Sequence, residues 1–307
     1  MQRLKKIDAA GYRPLWLKPD APVKDEQLSR FPHSLGVYAL LNCYGAPIEE
    51  QIAGLIHDIS HSAFSHCIDY VLSAGSEKHH DHQDNIFEEY IKKTEIPDIF
   101  KKYNLDIGYI IDDSHFPLKE TQLPDLCADR IDYILRTLTA FEDGGIAEKN
   151  YYLNHLKVKN NIWFFDSFES AMKFARMFMR INNEYYSGFA SALMFRAVGD
   201  YLKYALEKKY ISETNLYSTD KEVLEMISRY HGSDEHLKKL FDRMNKKIGC
   251  KNNPDDYEAT IFCKSRIVDP YFMDSGQLKR LSDVDSAWKE EIAIQSKPKQ
   301  YFLKFNR

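Results

Sequence analysis

The chain has 307 residues, of which 44% are hydrophobic and 29% are charged, and its formal net charge is −4. This composition is typical of a folded globular protein and excludes a disordered or fibrous chain. The acidic balance argues against constitutive binding to nucleic acid or to an anionic membrane, because both partners favour a basic surface.

Cysteine usage and hydropathy indicate the cellular compartment in which we expect the protein. The cysteines are odd in number and widely scattered, so they predict neither a disulfide framework nor a CxxC zinc site: Cys43, Cys67, Cys127, Cys250 and Cys263. The N-terminus lacks the apolar core of a signal peptide, and no apolar run approaches the length of a membrane span. We therefore expect a cytoplasmic protein with reduced thiols and no membrane partner.

Helical periodicity dominates the first part of the chain. One predicted helix carries an apolar stripe at Leu35, Tyr38, Ala39 and Leu41. A second helix is predicted after Pro47, with Ile52, Leu55 and Ile56 on its apolar face. Further amphipathic helices are predicted around residues 86–91 and 125–138. The pattern favours a helical bundle.

The pattern changes near residue 150. Residues 162–165 are aromatic and β-branched and follow the turn-forming pair Asn160-Asn161, which predicts a short strand or hairpin. Two long helices are predicted between residues 167 and 208, with Ser167 as the N-cap. The last third predicts helices over 220–230 and 236–244 and strands over 258–263 and 300–305. We expect a mainly α fold, with a helical domain over residues 1–210 and a smaller α+β appendage over residues 211–307.

The histidines are distributed unevenly, because seven of the eleven lie between residues 33 and 82. His57 and Asp58 are adjacent, His33 precedes them, and Asp129 follows in a later helix. Such a mixed nitrogen and oxygen set suits a divalent metal. Taken singly, each residue also fits a core histidine or a surface carboxylate, but the whole set favours a metal centre. A helix through His57 and His61 would point both rings the same way.

An open divalent site can polarise a phosphoryl oxygen and lower the pKa of a bound water. The constellation therefore predicts metal-assisted hydrolysis of a phosphoester. The identity of the metal stays open among Mn, Fe, Mg, Ni and Zn, because ligand sets of this kind accept several ions.

Three segments carry a resemblance to a known family. They are Arg-Phe-Pro-His-Ser-Leu-Gly-Val-Tyr over 30–38, Gly-Leu-Ile-His-Asp-Ile-Ser-His-Ser-Ala-Phe-Ser-His over 54–66, and Asp-Arg-Ile-Asp-Tyr over 129–133. Together they closely resemble the HD-domain phosphohydrolases. Within that superfamily they look most like the deoxynucleoside triphosphate triphosphohydrolases, whose patterns read R-F-x-H-S-L-G and H-D-x-x-H-x-x-F-S-H. The match is strong over residues 2–136.

The resemblance implies a role for each matching residue. The implied metal ligands are His33, His57, Asp58 and Asp129. The implied catalytic residues, which handle protons and contact the phosphate chain, are His61, His66, Asp69 and His82. The implied substrate contacts are Arg30, Arg130, Tyr133 and Tyr185.

Two of these implied assignments depend on local structure. Asp69 lies eleven residues after Asp58, so on one continuous helix the two would share a face. An Asp bonded to an imidazole would raise the basicity of that imidazole, as general acid chemistry requires. The histidine in the loop before residue 83 is open between His82 and its neighbours His79 and His80.

The sequence also departs from the triphosphohydrolase pattern. Ala9 and Ala10 stand where that branch carries a Gln-Leu pair, whose Gln helps recognise the sugar 3′-hydroxyl. The segment 185–188 replaces a Tyr-x-His-Lys segment, so one tyrosine is kept and the basic partner is lost. We expect a nucleotide phosphohydrolase that releases triphosphate. The alternatives are a nucleotide-binding sensor with a degenerate site, and an HD-type nucleotidase or phosphodiesterase acting on another phosphoester.

The basic block around Lys264 and Arg266 resembles the appendage of bacterial and archaeal family members. It predicts either a strand that packs or pairs subunits, or a site for a regulatory nucleotide. The expected partners are a nucleotide or another small phosphoester and a second copy of the chain, since the resemblance suggests a homo-oligomer.

Overall fold

Helices form most of the fold. The computed structural model describes residues 1–16, 28–72, 75–76, 80–142 and 144–306. The α-helices of the first half are α1 (Arg13–Trp16), α2 (Arg30–Cys43), α3 (Ile48–Ile56), α4 (His82–Lys92), α5 (Ile96–Lys102), α6 (Ile107–Ile110), α7 (Ala128–Phe141) and α8 (Gly145–His155). Those of the second half are α9 (Phe168–Ile181), α10 (Phe189–Glu207), α11 (Asp220–Ser228), α12 (Glu235–Met244), α13 (Leu281–Val284) and α14 (Ser286–Gln295).

The predicted helices between residues 167 and 208 are confirmed as α9 and α10. Ser167 is the N-cap of α9, where its side chain accepts a hydrogen bond from the backbone N–H of Ser170. The chain between α9 and α10 forms a short π-helical turn over Asn182–Tyr186. Buried positions recur along both faces of α10, so this helix lies at the centre of the molecule.

In the described ranges, seven strands form two small sheets. The first sheet has the order β1 (Leu156–Lys159), β2 (Ile162–Phe165), β5 (Tyr271–Asp274) and β6 (Gln277–Arg280). The second has the order β3 (Cys250–Asn252), β7 (Lys299–Phe305) and β4 (Ala259–Cys263). The predicted hairpin is confirmed: β1 and β2 are antiparallel, and Asn160 and Asn161 both have positive φ, as a tight hairpin turn requires.

The two parts of the chain share one hydrophobic core. Strand β2 pairs in parallel with β5, which places Phe164 beside Tyr271. The main apolar cluster runs from α2 through α9 and α10 to β4 and β7 without interruption. A smaller cluster joins the N-terminal turn to α3, α5 and α6. The boundary near residue 210 stays a proposal, and the parts on either side of it are packed as one body.

Three sequence expectations about helical faces are wrong. The buried face of α2 carries Val37 and Leu41, whereas Leu35 is 42% exposed, because the helix turns its polar residues inward instead. Helix α3 ends at Ile56, so His57 and His61 do not lie on one helix.

The third of these expectations concerned Asp58 and Asp69. Asp69 lies on a separate 3₁₀ turn, Ser65–Tyr70, so the two share no helical face. Phe64 and Ser65 have φ values of 61° and 45°, and this left-handed backbone redirects the chain before the turn. No helix in the described ranges combines the length and the apolar character needed to cross a bilayer.

Candidate active site

Four side chains from three separate regions of the chain meet at one point. His33 Nε2 lies 2.9 Å from Asp129 Oδ1 and 3.3 Å from His57 Nε2. His57 Nε2 lies 3.4 Å from Asp58 Oδ1 and 3.6 Å from Asp129 Oδ1. The ligand atoms of His33, His57 and Asp58 all fall within 4.8 Å of one another. These side chains come from α2, the turn after α3, and the first turn of α7, and we call them the metal cage.

The outer partners of the two histidines show that the cage fits a metal. Each imidazole is oriented through Nδ1: that of His33 donates to Asp132 Oδ2 at 2.7 Å, and that of His57 donates to the Gly54 carbonyl at 2.7 Å. Both Nε2 atoms are thereby directed to the common point. A carboxylate or a backbone carbonyl behind a ligating histidine is the usual arrangement in metal sites. The two histidines and two aspartates give the donor set that divalent transition metals accept.

The electrostatics of the cage favour a cation at the same point. Burial opposes protonation of His33, but hydrogen bonds to Asp129 and Asp132 outweigh it and raise its pKa to about 10. Burial by itself would raise the pKa of Asp129, yet its hydrogen bonds to His33 and His57 hold that pKa well below its usual range. The carboxylates therefore keep their negative charge, and a divalent ion is the natural counter-charge.

A glycine makes room for the Asp132 carboxylate. A Cβ at position 36 would lie 1.8 Å from Asp132 Oδ1 and 2.5 Å from Arg136 Nη2. Arg136 holds the other side of the same carboxylate, with Nη2 at 2.9 Å from Oδ1. The glycine of the Arg-Phe-Pro-His-Ser-Leu-Gly segment is thus explained by close packing against the group that orients His33.

Arg30 connects the cage to the turn that carries the candidate catalytic residues. Its Nη1 donates to both oxygens of Asp58, at 3.2 and 3.1 Å, and its Nε donates to Ser65 Oγ at 3.0 Å. The left-handed turn is fixed from the other side by Asp220, which accepts the backbone N–H groups of Phe64 and Asp8 at 2.8 Å each. Residues from three regions of the chain therefore determine where the 3₁₀ turn lies.

Two of the predicted catalytic histidines line the cavity beside the cage. His61 Nε2 lies 3.2 Å from Asp58 Oδ1, and its ring meets that of His66 edge to face. His66 Nδ1 lies 3.2 Å from Asp69 Oδ2, so Asp69 stands behind His66 and outside the cavity. The expected rise in the basicity of His66 does not occur, because burial and the charge of Arg30 hold its pKa well below the usual range. Burial also raises the pKa of Asp69 to about 7.

The loop histidine that reaches the cavity is His80. Its ring stacks on that of His66 with 5.2 Å between centroids. His82 points elsewhere: its Nε2 lies 3.0 Å from the Tyr217 hydroxyl, and its backbone N–H donates to Asp69 at 2.9 Å. His82 therefore lies outside the lining, while His79 falls outside the described residues. Sequence spacing alone could not separate these neighbouring histidines.

The cavity has a volume of about 790 Å³, which falls in the range of small-molecule sites. All four predicted substrate contacts line it: Arg30, Arg130, Tyr133 and Tyr185. Arg130 is paired with Glu120, with 2.9 Å between Nη2 and Oε1. Within the described ranges, the buried Arg30 Nη2 and the buried Tyr133 hydroxyl have no hydrogen-bond partner. Two donors in the cavity wall are thus available to a ligand.

The cavity also contains residues for which we predicted no catalytic or substrate role. Lys264 and Arg266 reach it from the segment after β4, instead of forming only a packing or subunit contact. Ala9 and Ala10 line it as well, so the sites of the missing Gln-Leu pair do face the ligand space. The available signal in the sequence was the alternation of Lys264 and Arg266 with less polar residues over 263–267, which in an extended chain turns the two cations to one side.

Comparisons with known proteins agree with this geometry. The HD-domain family model matches residues 30–137. Protein YdhJ of Bacillus subtilis strain 168 is 33% identical over 280 residues, which is 90% of this chain and 85% of that protein. The metal-dependent phosphohydrolase cns2 of Cordyceps militaris is 27% identical over 86% of this chain and 77% of its own length.

Two further matches are more distant. Mouse deoxynucleoside triphosphate triphosphohydrolase SAMHD1 is 29% identical over 182 residues, covering 48% of this chain and 27% of that protein. A solved phosphohydrolase structure from Bacteroides thetaiotaomicron superposes with a TM-score of 0.65 at 17% identity, covering 100% of this chain and 93% of that one, and it shares the fold. The chain belongs to the HD-domain phosphohydrolase superfamily, and it is a metal-dependent phosphoric ester hydrolase.

Proposed function

We propose that the protein hydrolyses nucleotides and that it releases triphosphate from a deoxynucleoside triphosphate. The observation that carries this proposal is that the metal cage opens onto a cavity large enough for a nucleotide, lined by both arginines and tyrosines. The likeness to a protein named as a deoxynucleoside triphosphate triphosphohydrolase supports the same substrate class. Deoxynucleotide selectivity and triphosphate release are the finer parts of the proposal.

In this mechanism His33, His57, Asp58 and Asp129 hold a divalent ion. When bound, that ion supplies Lewis acidity towards a phosphoryl oxygen and lowers the pKa of its water. The protein supplies fixed donors for the charge on the phosphate. Arg30 Nη2 and the Tyr133 hydroxyl are buried without a partner and are placed to donate to phosphate oxygens.

The His66–Asp69 pair handles the proton of the leaving oxygen. Asp69 is hydrogen-bonded to His66 Nδ1, so it fixes the ring with Nε2 available to a ligand. Burial favours the neutral form of each group, since the pKa of Asp69 is raised and that of His66 is lowered. A neutral pair that holds one proton in a buried site can release it to a departing oxygen and recover it from water.

An aromatic and apolar wall completes the nucleotide site. Tyr185, Tyr186 and Phe195 line the cavity and offer flat surfaces against which a base or sugar can stack. Ala9 provides no hydrogen-bonding side chain at the place where the triphosphohydrolase branch has a Gln. We therefore expect weaker discrimination at the sugar 3′-hydroxyl than in that branch.

The test is a nucleotide panel assayed with added Mn²⁺, Fe²⁺, Mg²⁺ or Ni²⁺. Phosphorus NMR of the products distinguishes triphosphate from orthophosphate. We expect triphosphate and a nucleoside, and we expect His57→Ala and Asp58→Ala to abolish the reaction. Hydrolysis that persists in both variants would identify a contaminant. Failure to hydrolyse any nucleotide with any of these metals would overturn the proposal.

A second candidate is hydrolysis of another phosphoester, such as a nucleoside monophosphate. The absence of a polar side chain at Ala9 and Ala10 favours it, because those positions line the ligand space. Orthophosphate release from monophosphates, with no turnover of triphosphates, would select this candidate. Tight nucleotide binding without turnover would instead indicate the sensor. Homo-oligomerisation and a cytoplasmic location remain predictions.

A further inference from the structure

His80 is a buried residue in a strained backbone conformation at the wall of the cavity. It is 4% exposed, and its φ of 54° lies in the left-handed region, which residues other than glycine uncommonly adopt. Its backbone N–H donates to the Ser76 carbonyl at 2.7 Å, and its own carbonyl accepts from Gln83 Nε2 at 3.2 Å. Strained backbone of this kind persists where the surrounding contacts hold it, and it occurs often at functional sites. The contacts of the His80 ring therefore bear on function.

The imidazole of His80 packs among aromatic rings. It stacks on His66 with 5.2 Å between centroids and an interplanar angle of 26°. Phe195 of α10 meets it edge to face at 5.1 Å, and the same Phe195 ring stacks on Tyr70 at 5.1 Å. Tyr70, the last residue of the 3₁₀ turn, meets His80 edge to face at 5.6 Å. The ring of His80 therefore lies between His66 and the central helix α10.

The Tyr70 hydroxyl indicates which nitrogen of His80 carries the proton. It donates to the Phe262 carbonyl of β4 at 2.8 Å, and it lies 3.0 Å from His80 Nε2. A tyrosine hydroxyl has a single proton and a carbonyl can only accept, so this proton belongs to the bond with Phe262. The hydroxyl oxygen must then accept a hydrogen bond from His80 Nε2–H. A neutral His80 is thereby fixed as the Nε2–H tautomer, with the lone pair on Nδ1.

This tautomer excludes one role for His80 and favours another. A neutral imidazole has one N–H, and that of His80 is directed at Tyr70. Ionised phosphate oxygens are acceptors, so neutral His80 has no N–H left for a phosphate chain. Its contact with the candidate catalytic residues is the stack on His66, whose Nδ1 lies 3.2 Å from Asp69 Oδ2. An imidazole held at Nδ1 by Asp69 and on one face by His80 is restricted in its orientation.

We propose that Tyr70 is a positioning residue for the reaction and that it acts through His80. Tyr70 and the Phe262 carbonyl fix the tautomer and the orientation of His80, and the His80 ring in turn fixes the plane of His66. This inference rests on the proposed role of His66 in handling the proton of the leaving oxygen, and it adds the residues that orient His66 for that step. Tyr70 itself stands outside the described cavity lining, so its contribution is geometric.

The direct test is nitrogen-15 NMR of the histidine side chains in the full-length, Mg²⁺-loaded protein at about pH 8, where an ordinary imidazole is neutral. Long-range nitrogen–proton correlation spectra distinguish the protonated from the unprotonated nitrogen of each ring, and the spectrum of His80→Gln assigns the His80 signals. In the wild type we expect Nε2 to be protonated and Nδ1 to be unprotonated. In Tyr70→Phe we expect the two tautomers of His80 to mix, so its two nitrogen shifts should move towards each other.

The kinetic test uses the nucleotide or other phosphoester that the protein hydrolyses. Tyr70→Phe should lower kcat about fivefold, the size expected for one lost hydrogen bond between neutral groups, and should leave KM within about twofold. Tyr201→Phe is the matched control, because the Tyr201 hydroxyl lies 2.9 Å from His231 Nε2 and neither of these described residues lines the cavity. The control removes an equivalent tyrosine–histidine contact, so it should lower the melting temperature without lowering kcat.

Three results would overturn the inference. The first is any protonation state of wild-type His80 other than Nε2–H, and the second is an unchanged pair of His80 nitrogen shifts in Tyr70→Phe. The third is a loss of kcat in Tyr201→Phe equal to that in Tyr70→Phe, which would indicate a general effect on stability. The wild-type spectrum decides even if Tyr70→Phe does not fold. It also needs no turnover, so a negative nucleotide panel would refute the proposed function while the tautomer of His80 is measured independently.

Discussion

The substitution Gly36→Ala should weaken metal binding although it replaces none of the metal ligands. The added Cβ would lie 1.8 Å from Asp132 Oδ1, and real contacts of this kind are essentially never closer than 3.0 Å, so the carboxylate must move by more than 1 Å. Arg136, which holds the same carboxylate, is also displaced, since the Cβ would lie 2.5 Å from its Nη2. The 2.7 Å hydrogen bond from His33 Nδ1 to Asp132 is then broken or badly distorted.

The size of the effect follows from the role of Asp132. Loss of such an outer partner typically lowers metal affinity by about 10–100-fold. That range corresponds to roughly 1.4–2.7 kcal/mol of binding free energy. A general loss of helix stability would not be the cause, because replacing Gly by Ala within a helix stabilises it by about 1 kcal/mol. We therefore expect weaker metal binding in a folded protein.

The assay is competition between the protein and a chromogenic chelator for Mn²⁺, together with the Mn²⁺ concentration that gives half-maximal activity. We expect both to shift by at least tenfold, with activity largely restored at saturating Mn²⁺. Gly108→Ala is the matched control, because its Cβ would meet only Asp106 Oδ1, at an ordinary 3.4 Å. A Mn²⁺ affinity within twofold of the wild type would refute the reasoning.

Three further outcomes are expected. Removing the metal with a chelator should lower the melting temperature measured by scanning fluorimetry, because an ion at 100 times its Kd stabilises the folded state by about 2.7 kcal/mol; an unchanged melting temperature would contradict an ion held by the fold. His80→Gln should lower kcat/KM more than His82→Gln, which should mainly lower the melting temperature, since only His80 lines the cavity; the reverse order would restore His82 as the catalytic candidate. Burial raises the pKa of Asp220 from 3.8 to about 7, so the folded state binds this proton more tightly and the group destabilises the fold as pH rises through that window. Urea unfolding at pH 5 and pH 7.5 should show a smaller decline in stability for Asp220→Asn, and equal declines in both proteins would contradict the shift.

The metal cage could be predicted from sequence because short motifs carry it. The His57-Asp58 pair, His33 and Asp129 each stand in a distinctive local pattern, and the structure brings their side chains together. The helices and strands of the second half were also predictable, since capping at Ser167 and the Asn160-Asn161 turn are local signals. Predictions that depend only on local sequence therefore agree with the positions of these residues in the folded chain.

The errors arise where tertiary contacts decide the local backbone. Helix α3 ends at Ile56 although its pattern continues, and the left-handed residues Phe64 and Ser65 redirect the chain. The hydrogen bonds that hold this turn come from Asp220, which is far away in sequence. No pattern within residues 57–69 could reveal that partner, so the faces predicted for His61 and Asp69 were wrong.

The same argument applies to the loop histidines and to the C-terminal cations. His80 and His82 differ in sequence only by position, and their contacts with Phe195 and Tyr217 distinguish them. Lys264 and Arg266 are brought to the cavity by their backbone contact with Asn182, which depends on the folded arrangement of the central helices.

The parallel pairing of β2 with β5 bears on how the protein acquires its activity during synthesis. The ribosome makes every residue of the metal cage before it makes β5, and strand β2 must wait for a partner that emerges late. Chains released early would contain all the metal ligands, but they would lack the part of the cavity lining that follows β4, and one edge of strand β2 would be unpaired. We expect such truncated products to bind metal and to aggregate. Translation through the last third of the chain is therefore required for a folded enzyme that stays in solution.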